Sequence, residues 1–252
     1  MTQENQKNSG IFRYGREVLP RLANVIEKNE PALQALCDEL ERRVRSGGSL
    51  LVFGSGHSSI FPMELYHRAG GASFVIPVVN EFLTPLAGPP VVRQLERTLS
   101  ISKIALARVR PMAGDMLWLS SQSGINAAAI EVALEAKKMG IYTVSFSSFA
   151  HSQSVPSRHS SGRRLMDVTD LAIDLGGVKG DAVVNLTDRL QAGPFSTLSS
   201  VFLGHSVLVE VCDRLEKSGH ACVYTSVNTP EGEENNRKIE AKARERDILL
   251  RE

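Results

Sequence analysis

Short, uninterrupted apolar runs recur along the chain, and they constrain the fold more than any other feature of the sequence. Each run is too short for a typical helix and has the length of a strand. A strand that is apolar on both sides is typical of a parallel sheet covered by helices on both faces. Four clear runs and a fifth, weaker one lie at residues 49–53, 74–79, 115–119, 141–146 and 170–174.

Segments with helical spacing separate most of these runs. The clearest begins at Ala127, carries Ile130 and Leu134 on one side, and ends at Gly140, a residue type that commonly terminates helices. Strands that alternate with helices indicate βαβ units with right-handed crossovers. The pattern therefore predicts an α/β domain built on a parallel sheet.

The segments that flank this core have other signatures. Residues 1–10 are polar and are predicted to be a disordered lead-in. Residues 11–46 are predicted to form two helices, with Pro31 tolerated in the first turn of the second one. We expect one domain over residues 11–233 and a charged, helical C-terminal tail over residues 234–252.

The part of the chain after the fifth run is predicted to contain one loop and one helix. Residues 176–194 hold four glycines and one proline and are predicted to be a long loop. Residues 196–217 are strongly apolar and are predicted to form a helix whose apolar stripe lies in the core or in a dimer contact.

Composition excludes several kinds of partner. The formal net charge is +1, from 29 basic and 28 acidic residues, so no broad basic face for nucleic acid is expected. No apolar run approaches the ~18 residues of a membrane span, and the polar N-terminus does not resemble a signal peptide. The three cysteines show no CxxC spacing. We therefore expect a cytoplasmic protein with reduced cysteines and no nucleic-acid or membrane partner.

Three loops on the predicted sheet edge are rich in Ser, Gly and His. They are GSGHSS at residues 54–59, SSQSGIN at residues 120–126 and HSQSVPSRHSSG at residues 151–162. In an open parallel sheet, ligands bind outside the carboxyl ends of the strands, which is where these loops begin.

The first two loops have the properties of an anion site. Each joins a strand to a helix, and a helix N-terminus offers free N–H groups and a positive dipole end. Glycines allow close backbone approach, and Ser hydroxyls donate hydrogen bonds without adding net charge. A phosphate dianion fits such a loop. The alternative is that these serines are only helix N-caps.

Other phosphate and catalytic motifs fit less well. The Walker A pattern GxxxxGK[ST] does not occur, and the GxSxG pattern of α/β-hydrolases does not occur either. Residues 54–59 approach the dinucleotide fingerprint but carry Ser59 where its third glycine belongs. A dinucleotide site would also leave the second Ser-rich loop unexplained.

Together, the three loops and the later Gly180-Asp181-Ala182 resemble the sugar isomerase (SIS) domain. Within that family the chain is similar to the UPF0309-type proteins, which themselves resemble phosphoheptose isomerases. The resemblance covers roughly residues 15–230. It implies a flavodoxin-like, three-layer α/β/α sandwich with a five-stranded parallel sheet and an N-terminal helical segment. It also implies a homodimer or homotetramer with the site at the subunit interface.

The resemblance implies specific ligand residues as well. Ser121, Ser123 and Asn126 would bind phosphate oxygens, with backbone support from Gly124. SIS domains often carry Thr in the place of Asn126, and the Asn amide can still donate. The sugar side of the ligand would contact residues of the first loop, namely Ser55, Gly56, His57 and Ser58.

Two residues are candidates for catalysis. In phosphoheptose isomerases, a Glu on an early helix and a His on a late helix move the proton, and Glu64 and His205 resemble them in position. Glu64 stands four residues before Arg68, so an ordinary i,i+4 ion pair explains it equally well. His205, on an apolar helix face, is alternatively a core histidine.

The third loop and its surroundings supply further candidates. Arg158 and His159 lie beside Pro156 and are predicted to contact substrate hydroxyls or a second anionic group. Asp181 either binds a sugar hydroxyl or caps a turn. A metal ion held by His57, His151 and His159 has no support from His or Cys spacing, and we expect no metal and no cofactor.

The sequence thus predicts a phosphosugar-binding protein, most simply a sugar-phosphate isomerase that transfers a proton between neighbouring carbons. The alternatives are a non-catalytic phosphosugar-sensing module and a lyase, etherase or deglycase acting on an amino-sugar phosphate. Only about 50 residues precede the first strand, and they contain no basic recognition helix, which favours an enzyme.

Overall fold

A five-stranded parallel sheet forms the centre of the protein. The computed structural model describes residues 9–99 and 101–250. The strands lie in the order β2-β1-β3-β4-β5. Their bounds are β1 Leu50–Gly54, β2 Val75–Val78, β3 Met116–Ser120, β4 Tyr142–Ser147 and β5 Leu171–Asp174. The five predicted runs all became strands, which confirms the predicted sheet.

Helices surround the sheet and form most of the connections between its strands. Short 3₁₀ turns occupy Gly56–Ser59, Glu81–Leu83, Pro85–Ala87 and Ile248–Leu250. The α-helices are α1 Gly10–Arg45, α2 Ile60–Leu65, α3 Pro89–Leu95, α4 Ile101–Ala107, α5 Ala127–Lys138, α6 Phe149–Gln153, α7 Leu165–Val168, α8 Ser196–Lys217 and α9 Pro230–Arg246. In the described part of the chain, no helix has both the length and the apolar character needed to cross a bilayer.

The sheet separates two apolar layers. Alternate residues of β1 point to opposite faces, so that Leu50 and Val52 join one layer while Leu51 and Phe53 join the other. Helices α1, α2 and α8 cover the first face, and α4, α5 and α7 cover the second. This arrangement is the predicted three-layer α/β/α sandwich.

The N-terminal helical segment is one helix of 36 residues, whereas the sequence predicted two helices. Pro20 and Pro31 both lie inside it. A proline removes one helical hydrogen bond, and burial of the helix face compensates for that loss here. The buried face includes Val25 and Leu36, which belong to the apolar layer shared with α8.

The segment predicted as a long loop at residues 176–194 contains an antiparallel hairpin instead. Its strands are β6, Ala182–Asn185, and β7, Gln191–Pro194. The glycines in the segment suggested an irregular loop, but Val183 and Val184 pack with Val18 in a small apolar cluster and hold the strands in place. Long-range packing therefore overrode the local turn signals.

The C-terminal helix α9 begins at Pro230 and ends at Arg246, earlier at both ends than the tail predicted at residues 234–252. It packs on the domain. Both oxygens of the Asp115 carboxylate accept hydrogen bonds from the Arg246 guanidinium, at 2.8 and 2.9 Å, and the Asp115 side chain is fully buried. Residues 1–8, within the predicted lead-in, lie outside the described residues.

Candidate functional site

The strand register brings the first two Ser-rich loops together. Gly54, the last residue of β1, pairs with Ser120, the last residue of β3. Because the two strands end side by side, the loops that follow them leave the sheet at the same edge. This is the position at which ligands bind in open parallel sheets.

A cavity of about 500 Å³ opens between these loops. Its volume lies within the range of small-molecule sites. Seven of the predicted binding residues line the cavity: Ser55, Gly56, His57, Ser58, Ser121, Ser123 and Asn126. The wall also contains residues that the sequence did not single out, among them Arg93, Glu96, Ser196 and Thr197.

The second loop is folded around its glycine. Gly124 has a φ of +60°, and its amide donates to the Ser121 hydroxyl oxygen at 3.2 Å. A Cβ at this position would lie 3.2 Å from the Ser152 hydroxyl, so a larger residue would be both strained and crowded. Gly124 therefore supports the loop from behind, and the Ser121 hydroxyl retains its own hydrogen for a ligand.

A carboxylate lies between the two loops. Glu96 follows α3, and its Oε1 accepts a hydrogen bond from the Ser55 hydroxyl at 2.9 Å. Its Oε2 accepts from the Asn126 side-chain amide at 3.3 Å. The backbone carbonyl of Glu96 accepts from the amide of Ala128, in the first turn of α5, at 3.0 Å. Glu96 thus contacts both loops and partly caps the helix that follows the second one.

Arg158 lies behind this contact and does not line the cavity. Its guanidinium Nη1 donates to the Asn126 Oδ1 at 3.0 Å. An Arg side chain can only donate and a carboxylate can only accept, so these two neighbours fix the orientation of the Asn126 amide. Arg158 therefore positions a cavity residue, a role that differs from the predicted contact with substrate.

His159 is buried and also lies away from the cavity. One ring nitrogen, Nε2, is 2.7 Å from a carboxylate oxygen of Glu131, and the other, Nδ1, is 2.7 Å from the Ser161 hydroxyl. Both polar atoms of the ring are thus engaged inside the protein. The predicted contact between His159 and substrate would require these bonds to break.

Glu64 and His205 are neighbours, as a catalytic pair would be, but they do not line the cavity. The Glu64 carboxylate lies 3.5 Å from the His205 Nε2 and also pairs with Arg68. Burial and the Arg68 cation lower the pKa of His205 below its ordinary value, which favours the neutral ring. The geometry supports the i,i+4 ion pair that was the alternative explanation of Glu64.

Asp181 caps helix α8, which separates the two roles that the sequence left open. Its carboxylate accepts from the amides of Phe195 and Ser196, at 3.2 and 2.8 Å, and from the Ser196 hydroxyl at 2.7 Å. Its φ of +71° lies in the left-handed region. Nearby, the Tyr14 hydroxyl donates to the Pro194 carbonyl at 2.6 Å, and burial and the Asp181 charge raise the pKa of Tyr14. Both contacts hold the wall of the cavity in place.

The histidines considered as metal ligands are not grouped. His57 lines the cavity, while the His151 Nδ1 accepts from the Gly180 amide at 3.0 Å. Burial lowers the pKa of His151. Over residues 9–99 and 101–250, no three His, Cys, Asp or Glu side chains are close enough together to hold a metal ion.

Glu96 is the main functional candidate that sequence reasoning missed. It lies in the connection between β2 and β3, a segment without the Ser and Gly pattern that marked the loops. A lone Glu near the end of a short helix carries no local signal of a site. Its position depends on how the connection folds back onto the carboxyl edge of the sheet.

Comparison with known proteins defines the class that this fold and cavity represent. The family model described as SIS domain matches residues 13–148. The chain belongs to the SIS-domain family.

Within that family, curated relatives identify a narrower group. A UPF0309 protein of Geobacillus thermodenitrificans is 35% identical over 244 residues, which cover 95% of this chain and 97% of the relative. A UPF0309 protein of Shouchella clausii is 32% identical over 231 residues, 90% of this chain and 94% of the relative. The chain is therefore a UPF0309-type SIS-domain protein.

Solved structures share the fold at lower sequence identity. A protein of E. coli CFT073, solved in complex with a phosphosugar, is 18% identical with a TM-score of 0.51, covering 86% of this chain and 94% of that one. A phosphoheptose isomerase from Francisella tularensis is 15% identical with a TM-score of 0.51, covering 84% and 98%. These two similarities confirm the predicted architecture.

Proposed function

We propose that the cavity binds a phosphorylated sugar, with the phosphoryl group against the Ser121 and Ser123 hydroxyls. The observation that carries this proposal is the meeting of two Ser-rich loops in one cavity of about 500 Å³. Hydroxyl and amide donors suit a phosphate dianion. Among the described lining residues, Arg93 is the only Lys or Arg side chain, so most of the recognition falls to neutral donors.

We further propose that the chain is an isomerase of sugar phosphates. Two proteins of the same fold support this class: one was solved with a phosphosugar, and the other is a phosphoheptose isomerase. Aldose–ketose isomerisation needs a base beside the carbon that loses its proton and needs no redox cofactor. The cavity offers a carboxylate, Glu96, and an imidazole, His57, in the same wall.

The family resemblance also motivates a proposal about assembly. Leu198, Phe202 and Val209 are exposed along one side of α8, with exposed fractions of 42%, 38% and 66%. Glu64 and His205 lie beside this stripe. We propose a homodimer or homotetramer that covers it, and light scattering coupled to size-exclusion chromatography measures the oligomeric state. Glu64 and His205 would serve catalysis only if a second copy presented them to this cavity.

The binding proposal is tested with the variant Ser121→Ala/Ser123→Ala. Isothermal titration calorimetry against D-arabinose 5-phosphate, glucose 6-phosphate and sedoheptulose 7-phosphate compares it with the wild type. Each lost hydrogen bond to a charged group is worth about 1.5–3 kcal/mol, so the affinity for every bound probe should fall by at least about 100-fold.

The matched control is Ser46→Ala/Ser218→Ala, because neither of these serines lines the cavity. It should bind each probe as tightly as the wild type does. Unchanged affinity in the Ser121→Ala/Ser123→Ala protein would contradict the proposed phosphate site, and so would a wild type that binds none of the probes.

A further inference from the structure

Glu96 has more polar contacts than a purely structural role in helix capping requires. Its backbone carbonyl already accepts from the Ala128 amide in the first turn of α5. The carboxylate adds nothing to that cap, yet it lies in the cavity wall and holds one hydrogen bond to each loop. A partly buried negative charge at this point therefore calls for another explanation.

The orientation of the carboxylate is fixed by donors on both sides. Arg158 holds the Asn126 carbonyl oxygen, and the Asn126 amide nitrogen in turn donates to Glu96 Oε2. Ser55 donates to the other oxygen, Oε1. Each carboxylate oxygen has a second lone pair, so both can accept a further proton from a ligand. A group held in this way is preorganised for proton transfer.

The charge of Glu96 also orients a phosphorylated ligand. A carboxylate repels a phosphate dianion at close range in a site that excludes part of the water. The phosphoryl group is therefore favoured at Ser121 and Ser123, on the side of the second loop that Glu96 does not contact. The carbon chain of the sugar then extends from there towards Glu96 and Ser55.

We propose that Glu96 is a catalytic residue, the base that removes the proton from C2 of an open-chain aldose phosphate. This assignment rests on the proposed function. The C2–H electron pair forms the C1–C2 double bond of an enediolate while Glu96 takes the proton. The proton of the C2 hydroxyl moves to the C1 oxygen, a carbonyl forms at C2, and Glu96 returns its proton to C1. The atoms balance, and neither an oxidant nor a reductant takes part.

The test is proton exchange in D₂O, followed by ¹H NMR of the C2 proton, with calorimetry on the same proteins. D-arabinose 5-phosphate and glucose 6-phosphate are the probes. The wild type should exchange the C2 proton of a probe that it binds. Glu96→Gln should lower the exchange rate by at least about 100-fold, the range typical of general base catalysis, and should bind that probe equally or more tightly.

Controls separate chemistry from folding. Glu135→Gln, which removes a carboxylate paired with Lys138 outside the cavity, should exchange at the wild-type rate. Glu96→Ala should regain part of its exchange in sodium formate, because the small carboxylate can occupy the vacated space. Formate rescue would not occur if the residue only stabilised the fold.

The outcomes distinguish this inference from the proposal beneath it. A wild type that binds neither probe would overturn the proposed function and the catalytic assignment together. Binding without any exchange would leave the binding proposal standing and overturn the role of Glu96. Exchange that survives in Glu96→Gln but is lost in Glu64→Gln would assign the base to Glu64 instead.

Discussion

Replacing Asp181 by Ala removes a carboxylate that accepts three hydrogen bonds at the start of α8. Loss of an N-cap side chain typically costs about 0.5–2 kcal/mol. An L-residue without a polar side chain pays about 1–2 kcal/mol more in the left-handed region that Asp181 occupies. We expect Asp181→Ala to lower the free energy of unfolding by about 2–3 kcal/mol, the middle of the combined range.

Asp181→Asn separates the two contributions. Asn tolerates left-handed backbone and keeps one carbonyl acceptor for the helix amides. This variant should therefore cost about 1 kcal/mol, which is the cap and charge contribution without the backbone strain. The difference between the two variants measures the strain directly.

The assay is urea denaturation followed through the fluorescence of Trp118, the single Trp of the chain, which is fully buried. Asp188→Ala, at the exposed tip of the hairpin, is the matched control and should stay within about 0.5 kcal/mol of the wild type. If Asp181→Ala were as stable as the control, or if the Asn variant lost as much stability as the Ala variant, the capping argument would be refuted.

Three other predictions concern pH, the C-terminal helix and the cysteines. Because the pKa of His205 in the folded protein lies below its ordinary value of 6.5, the unfolded chain takes up the proton first on acidification. Stability should therefore fall as the pH drops from about 6.5 towards the folded-state pKa, and His205→Gln should flatten this part of a pH series of thermal midpoints; an unchanged slope would contradict it. Arg246→Ala leaves the buried Asp115 carboxylate without its cation and should cost about 3 kcal/mol in urea denaturation, whereas Lys238→Ala, an exposed helix pair, should cost under about 0.5 kcal/mol; equal effects would show that α9 is not part of the folded unit. All three cysteines are buried, and burial raises the pKa of Cys37 to about 11, so native protein should react with Ellman's reagent at pH 8 far more slowly than denatured protein, and rapid labelling of the native state would refute this.

Much of the fold follows from local sequence, because buried parallel strands leave a simple mark. The continuous apolar run at residues 115–119 predicted β3 to within one residue at each end. Polar residues close the run at the point where the strand leaves the core. The same reasoning found the two loops that line the cavity, since turn residues after a buried strand of a parallel sheet lie on the ligand-binding edge.

The rest of the site depends on contacts between residues far apart in the chain. Glu96 meets Ser55 across 41 positions and Asn126 across 30, and neither separation leaves a local pattern. His159 looked like a ligand residue because it lies in a polar loop, yet its bond to Glu131 draws it inside. The continuity of α1 through two prolines was also missed, because helix propensity does not include burial against other elements.

The pairing of Gly54 with Ser120 has a consequence for how such a site can change over evolution. The side chains of β1 alternate between the two apolar layers, so sliding this strand by one residue against β3 would exchange Leu51 and Val52 between them. The spacing between the ligand-bearing loops is thus locked by the interior. New specificities can arise by substitution within the loops or in the Glu96 segment, whereas the distance between the two strand ends is inherited unchanged.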